Sequence, residues 1–159
     1  LTHEILFPNK ILYTSRLLRV TTTYAVELTE PEFLDLKILF PIAEIGTRQG
    51  DKLKTIAEKT VDRYGNGLEG FGTENEHLRH AADIASDFDY NQFDEITIGG
   101  YLPGEDGGYT IADGNHRGIA LAVLLRSGAV EYQSVTAILA VSKDITEEVI
   151  YEDEVSIPR

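Results

Sequence analysis

The stretch Tyr109-Thr110-Ile111-Ala112-Asp113-Gly114-Asn115-His116-Arg117-Gly118-Ile119-Ala120-Leu121-Ala122-Val123-Leu124-Leu125 decides how this chain is built. Tyr109 to Ala112 has the β-prone composition of a strand, and Gly114 supplies a tight turn. Asn115 to Ser127 then reads as a helix so apolar, from Ile119 through Leu125, that most of its surface must be covered. Gly128 stops it in the manner of a left-handed cap. A strand that opens at once into a buried helix brings unpaired N–H groups and the positive end of a helix dipole to one point, which attracts an anion. Arg117 adds a fork that matches phosphate oxygens, and His116 adds another donor. The same residues also fit a structural arrangement in which Asp113 caps the helix and pairs with Arg117 on the surface.

Working outward, Ser134 to Val141 is a buried strand that follows the helix. On the other side, Asp94 to Tyr101 is a strand joined to Tyr109–Ala112 through the turn Pro103-Gly104-Glu105-Asp106-Gly107-Gly108. Further back, Leu53, Ile56, Ala57, Thr60, Val61 and Tyr64 fall on one stripe at the 3.6-residue period, so Asp51 to Tyr64 is a helix with Asp51 at its cap. Gly65, Gly67, Gly70 and Gly72 mark a loop with the composition of an insertion or lid. A second helix begins at Thr73 and runs to about Phe88, with Glu76 completing a capping box. Leu36 to Phe40 is a candidate strand ended by Pro41. The first thirty residues alternate short β-type runs (Ile5–Phe7, Ile11–Tyr13, Leu17–Val20, Tyr24–Leu28) with polar breaks.

The 159 residues suit one domain, and an apolar content of 42 % is enough for a core. No Cys is present, which excludes a disulfide framework, a thiolate metal site and a cysteine nucleophile. No run approaches a membrane span and the start lacks the layout of a signal peptide, so a soluble, cytoplasmic protein with no membrane partner is expected. The chain has no Met, which suggests a trimmed or processed start. The net charge of −13 is unevenly spread: residues 64–113 carry one basic group, Arg79, against eleven acids, whereas residues 31–63 carry six of each. Such a field disfavours nonspecific duplex DNA binding while leaving room for one small anion pocket.

The string Asp113-Gly114-Asn115-His116-Arg117, preceded by a strand and followed by an Ala- and Leu-rich helix and another strand, resembles the signature of the ParB/sulfiredoxin superfamily. The resemblance covers about residues 34–141, with weaker support from Leu36 to Tyr64, where a strand, a Pro and a helix come in the family's order. It implies an α+β fold: a ParB/sulfiredoxin-like mixed sheet with packed helices. To this core the sequence adds an N-terminal β-rich extension (1–33), a helical insertion (about 64–93) and an acidic tail (142–159). Asn115 stands where sulfiredoxins have their catalytic Cys, so that activity is ruled out. No residues remain for the helix-turn-helix domain of partitioning proteins. The free serine kinase branch, with Asp-Gly-His-His-Arg, differs at one position.

The resemblance implies ATP or ADP, or another nucleotide, with Mg²⁺. It assigns phosphate contacts to Gly114, Asn115, His116 and Arg117, and a place near the metal and reacting phosphate to Asp113. Pro41-Ile42-Ala43-Glu44 looks like the family's catalytic-Glu segment, which makes Glu44 the general base. Lys52, Thr55 and Lys59 match the nucleotide contacts of the family's first helix, the last as a substitution. Lys52, Lys59 and Arg63 also lie within about 40° of one another on the helical wheel, and a solvated face balanced by Glu58 and Asp62 accounts for them equally. Arg48 is a further basic candidate near the pocket, with the same two readings. The function expected is therefore a nucleotide-binding phosphotransferase or NTPase, with a small hydroxylated metabolite such as free serine as acceptor. A ParB-like nuclease or toxin-type DNA-processing protein and a nucleotide sensor without turnover are the competing readings. Glu76, His77, His80 and Asp83 have spacings that permit metal ligation and equally suit a charge-paired, solvated helix face.

Overall fold

The computed structural model describes residues 2–5, 21–65, 74–93, 95–99 and 109–142. They form an α+β fold in which a mixed sheet, with strand order β1-β2-β5-β3-β4, carries packed helices. The strands are β1 (Thr2–Ile5), β2 (Thr21–Leu28), β3 (Ile96–Gly99), β4 (Thr110–Asp113) and β5 (Val135–Ser142). The helices are α1 (Glu30–Leu34), α2 (Leu53–Tyr64), α3 (Glu76–Ser86) and α4 (Asn115–Ser127). β5 lies inside the sheet, antiparallel to β2 along eight residues and parallel to β3. No described helix is long and apolar enough to cross a membrane.

Period-two burial gives the sheet its inner face: Ile96 and Ile98 of β3, and Val135, Ala137 and Leu139 of β5, are buried while their neighbours are less so. Against it lies α4, whose residues Gly118 to Leu124 are all buried. Such all-round burial fits a helix without an amphipathic stripe, covered by α2 and α3 as well as by the sheet. α2 turns Leu53, Ile56, Ala57 and Thr60 inward, and α3 turns Leu78, Ala81 and Ala85 inward.

Several local expectations need correction. β2, the described part of the N-terminal β-rich stretch besides β1, is paired along its length with β5, and Val26 and Leu28 belong to the core. Leu36 to Phe40 does not form a strand. The main chain there is shared between two partners, with Lys37 bridging Thr110 on one side and Lys52 on the other, so no regular ladder develops. Leu36 and Ile38 are nevertheless buried in the alternating manner of a strand. Asp51 does not cap α2. Its carboxylate accepts from the Arg48 amide at 2.8 Å, and the Leu53 amide that a cap would serve donates to the Leu36 carbonyl at 2.8 Å. α3 runs from Glu76 to Ser86, ending short of Phe88, and is capped by Asn75, whose Oδ1 accepts from the amides of His77 and Leu78. Glu58, expected to balance the cations of its own helix, pairs with Arg126 of α4 at 3.9 Å. Helix α1, which the sequence reading lacked, is held by a capping box between Thr29 and Glu32. Thr73, the glycine loop from 66 to 73, the turn after β3, the runs between 6 and 20 and the acidic tail lie outside the described residues.

Candidate functional site

The strand-to-helix junction forms as its composition requires. Gly114 has φ +101°, a conformation that L side chains rarely adopt, and leads into α4 with no side-chain cap. A second constraint also demands glycine. A Cβ here would fall 2.7 Å from Ile96 Cγ2 and 2.8 Å from Arg117 Nη2. The structural alternative in which Asp113 caps the helix is therefore not adopted: Asp113 closes β4 with its side chain 80 % exposed, 3.9 Å from the Arg117 guanidinium. Arg117 Nη2 also donates to the Glu95 carbonyl at 2.9 Å. Two polar atoms of this first turn, Asn115 Oδ1 and Arg117 Nε, are buried without a hydrogen-bond partner among the described residues. Leaving such atoms unpaired costs about 1–3 kcal/mol each, so the junction is polar beyond what packing needs.

His116, in the same turn, meets two histidines of α3. His77 Nδ1 is 3.0 Å from His116 Nε2, a hydrogen bond between imidazoles, and the rings are stacked at 5.3 Å. His80 approaches His116 edge-on at 5.0 Å, and Phe40 stacks on His77 at 3.8 Å. Burial pushes His116 below its ordinary value; His77 and His80 push the same way and Glu76 opposes them. Three of the chain's four histidines thus meet across the α3–α4 packing. Sequence reasoning missed this, because it placed His77 and His80 on a solvated face or around a metal. Among the described residues no three His, Asp or Glu side chains are arranged to hold a metal ion.

Glu44 sits on a short 3₁₀ turn, Ala43–Ile45, which follows buried Ile42. It accepts a hydrogen bond from the Tyr64 hydroxyl at the end of α2. Burial, and then this bond, raise the Tyr64 phenol above its usual range. Glu44, Arg63, Tyr64, Glu74 and Asn75 line an open polar cleft of about 450 Å³. Since Asn75 caps α3, this cleft adjoins the helix end that carries His77.

Lys52, Thr55 and Lys59 are differently placed. Lys52 is the residue before α2, with its ammonium 3.5 Å from Asp35, and Lys59 is exposed on the helix face. At about 1.5 Å of rise per residue, Lys52 and Tyr64 are roughly 18 Å apart along the axis. Glu44 and Lys52 therefore stand at opposite ends of α2. Gly118, one turn into α4, packs against the first residue of α2: a Cβ there would lie 3.4 Å from Leu53 Cδ1. On its other side Arg117 borders a cleft of about 270 Å³ that also takes Asp83, Asp87, Asp89, Phe88 and Phe93. Arg48 is exposed and its amide is occupied by Asp51.

Comparison with protein-family models, with curated proteins and with solved structures finds no match to this chain.

Proposed function

We propose that the chain is a nucleotide-binding phosphotransferase or NTPase of the ParB/sulfiredoxin type, acting as a kinase on a small hydroxylated metabolite such as free serine. The observation that carries this reading is the start of α4. A left-handed glycine opens a buried helix without a side-chain cap, and the first turn carries Asn115, His116 and Arg117, with the buried Arg117 Nε donor unpaired among the described residues. Amides and a guanidinium at a helix start suit the phosphates of a nucleotide. The likeness of Asp113–Arg117 to the family motif adds independent support.

Phosphoryl transfer asks the protein mainly to neutralise charge on the transferred group and to orient the acceptor. The α4 amides and Arg117 serve the first need. Glu44, in the polar cleft beside the α3 cap, serves the second as the base that takes the acceptor's hydroxyl proton. Arg63, Glu44 and Glu74 in that cleft offer both signs of charge to a zwitterionic acceptor. The donor set also fits Mg²⁺, which needs one or two carboxylates beside phosphate oxygens and water: Asp113 is exposed at the junction. Bound there, the ion would offset phosphate charge. The carboxylates bordering Arg117 disfavour a nucleic-acid strand, which needs an extended basic groove.

The test is thermal denaturation with ATP, ADP, CTP or GTP and Mg²⁺, followed by phosphate release or transfer across a panel of hydroxylated metabolites. A nucleotide-specific rise in melting temperature is expected, lost in Arg117→Ala, together with turnover that Glu44→Ala abolishes while binding persists. No rise with any nucleotide, together with metal-dependent cleavage of DNA, would transfer the assignment to a nuclease. Binding without turnover would make the chain a sensor.

A further inference from the structure

The nucleotide reading uses His116 but leaves open why α3 brings two more histidines to it. We propose that His77 is a positioning residue for His116: by donating from its Nδ1–H to His116 Nε2, it fixes His116 as the Nδ1–H tautomer and presents that N–H, beside the uncapped amides of α4, to phosphate oxygens. The inference rests on the function proposed above and adds a residue that the family motif does not contain.

A neutral imidazole has one N–H, and the nitrogen that carries it is set by the partner of the other nitrogen. In His116 the outer nitrogen, Nε2, is engaged by His77 Nδ1 at 3.0 Å. Nδ1 is the ring nitrogen nearer the main chain, and His116 belongs to the first turn of α4. Only if His77 is the donor does neutral His116 offer a proton there. With the proton on Nε2, an anion at the helix start would face a lone pair.

Charge is a poor substitute for this arrangement. The groups around His116 are Glu76, His77 and His80 on α3, Phe40 in the segment before the 3₁₀ turn, and Arg117 on α4, whose guanidinium is turned to the Glu95 carbonyl and Asp113. Burial and the two neighbouring imidazoles favour neutral His116, with one carboxylate opposing them. Tautomer selection makes a neutral ring a donor without charging it. Phe40, stacked on His77 with planes 15° apart, holds the donor ring in place. His80 meets His116 by its edge and shares no hydrogen bond with it, so only His77 has this role.

The experiment uses the full chain at pH 8 without ligand. Long-range ¹H–¹⁵N correlation spectra identify the protonated nitrogen of each imidazole, and titration with inorganic pyrophosphate and with MgATP measures binding. Expected are a protonated Nδ1 and a bare Nε2 on His116. His77→Phe keeps a ring on Phe40 but should give mixed His116 tautomers and binding weaker by roughly fivefold, the loss of one hydrogen bond. His80→Phe should leave the tautomer and affinity unchanged. A proton on His116 Nε2, or wild-type affinity in His77→Phe, or equal losses in the two variants, would overturn the inference while the nucleotide reading stands. A wild-type chain that binds neither ligand overturns that reading, and this role with it. The tautomer is read on the wild-type chain, so it decides even if His77→Phe does not fold.

Discussion

Replacing Gly114 by Ala tests the geometry on which the candidate site depends. Two costs arise together. A non-glycine residue in the left-handed region costs about 1–2 kcal/mol, and Gly114 has φ +101°. The new methyl would also stand 2.7 Å from Cγ2 of Ile96, a side chain with no exposed surface and therefore no room to withdraw. Arg117 Nη2, at 2.8 Å, is the end of a flexible side chain and moves more cheaply. Forcing a methyl into such a contact costs about 1–3 kcal/mol, for a total of about 2–5 kcal/mol. At about 2–4 °C per kcal/mol for a domain of this size, the melting temperature should fall by roughly 4–20 °C. Gly128→Ala is the control, since its φ is +81° but a Cβ meets nothing within 4 Å, so only the backbone cost applies. Urea denaturation of both variants beside the parent gives the comparison. If Gly114→Ala loses no more stability than Gly128→Ala, the close approach of β3 to the α4 start is wrong.

Tyr132 donates to the Leu28 carbonyl at 2.6 Å and accepts from the Val135 amide at 3.2 Å, so Tyr132→Phe should cost about 1–3 kcal/mol in chemical denaturation. Burial first, then nearby Tyr90, Glu30 and Glu32, push its phenol up to about 12 from an ordinary 10. A raised value means that this stabilisation is complete below pH 10 and is lost as pH rises toward 12, a decline that the Phe variant should not share. His116 has the opposite sign dependence: it is lowered from 6.5, so its contribution is present above that pH and is lost on acidification through its folded value. The urea midpoint of the parent should therefore fall more between pH 7 and pH 5 than that of His116→Asn. Leu121→Ala, at a position with no exposure, should destabilise by about 2–5 kcal/mol. Leu39→Ala, at 51 % exposure, should stay within about 0.5 kcal/mol of the parent by the same assay.

Legibility followed how local the determining forces are. α4 runs from Asn115 to Ser127, as its glycine boundaries and unbroken apolar run require, because both signals act within one turn of the chain. The buried stripe of α2 is likewise local, and its members meet the core in the expected order. α1 had a readable start in Thr29 and Glu32, but five residues are too few to develop a hydrophobic period. The segment Leu36 to Phe40 shows the converse. Its alternating burial is that of a strand, yet its backbone donors and acceptors are divided between β4 and the approach to α2. Which acceptor the Leu53 amide would find, and hence whether Asp51 would cap the helix, depends on that long-range contact.

The candidate site divides along the same line. Gly114, Asn115, His116 and Arg117 are contiguous, and their arrangement at the helix start follows from the local turn. His77 and His80 are separated from His116 by 39 and 36 positions, and their spacing on α3 says only that they share a face. What brings that face to the α4 start is Leu78, Ala81 and Ala85 packing into the core from the same helix. The apolar stripe of α3 was readable, but not the helix it would meet. Packing therefore does more than support the site: it supplies the imidazole that engages His116 and the cap residue that borders the Glu44 cleft. A variant that loosens α3 without touching any polar residue, such as Ala81→Gly, should for that reason disturb the His116 ring before it disturbs α2 or the sheet. The His116 imidazole resonances, followed along a urea titration with amide resonances of α2 and the sheet, would show that order, and simultaneous loss of all three signals would refute it.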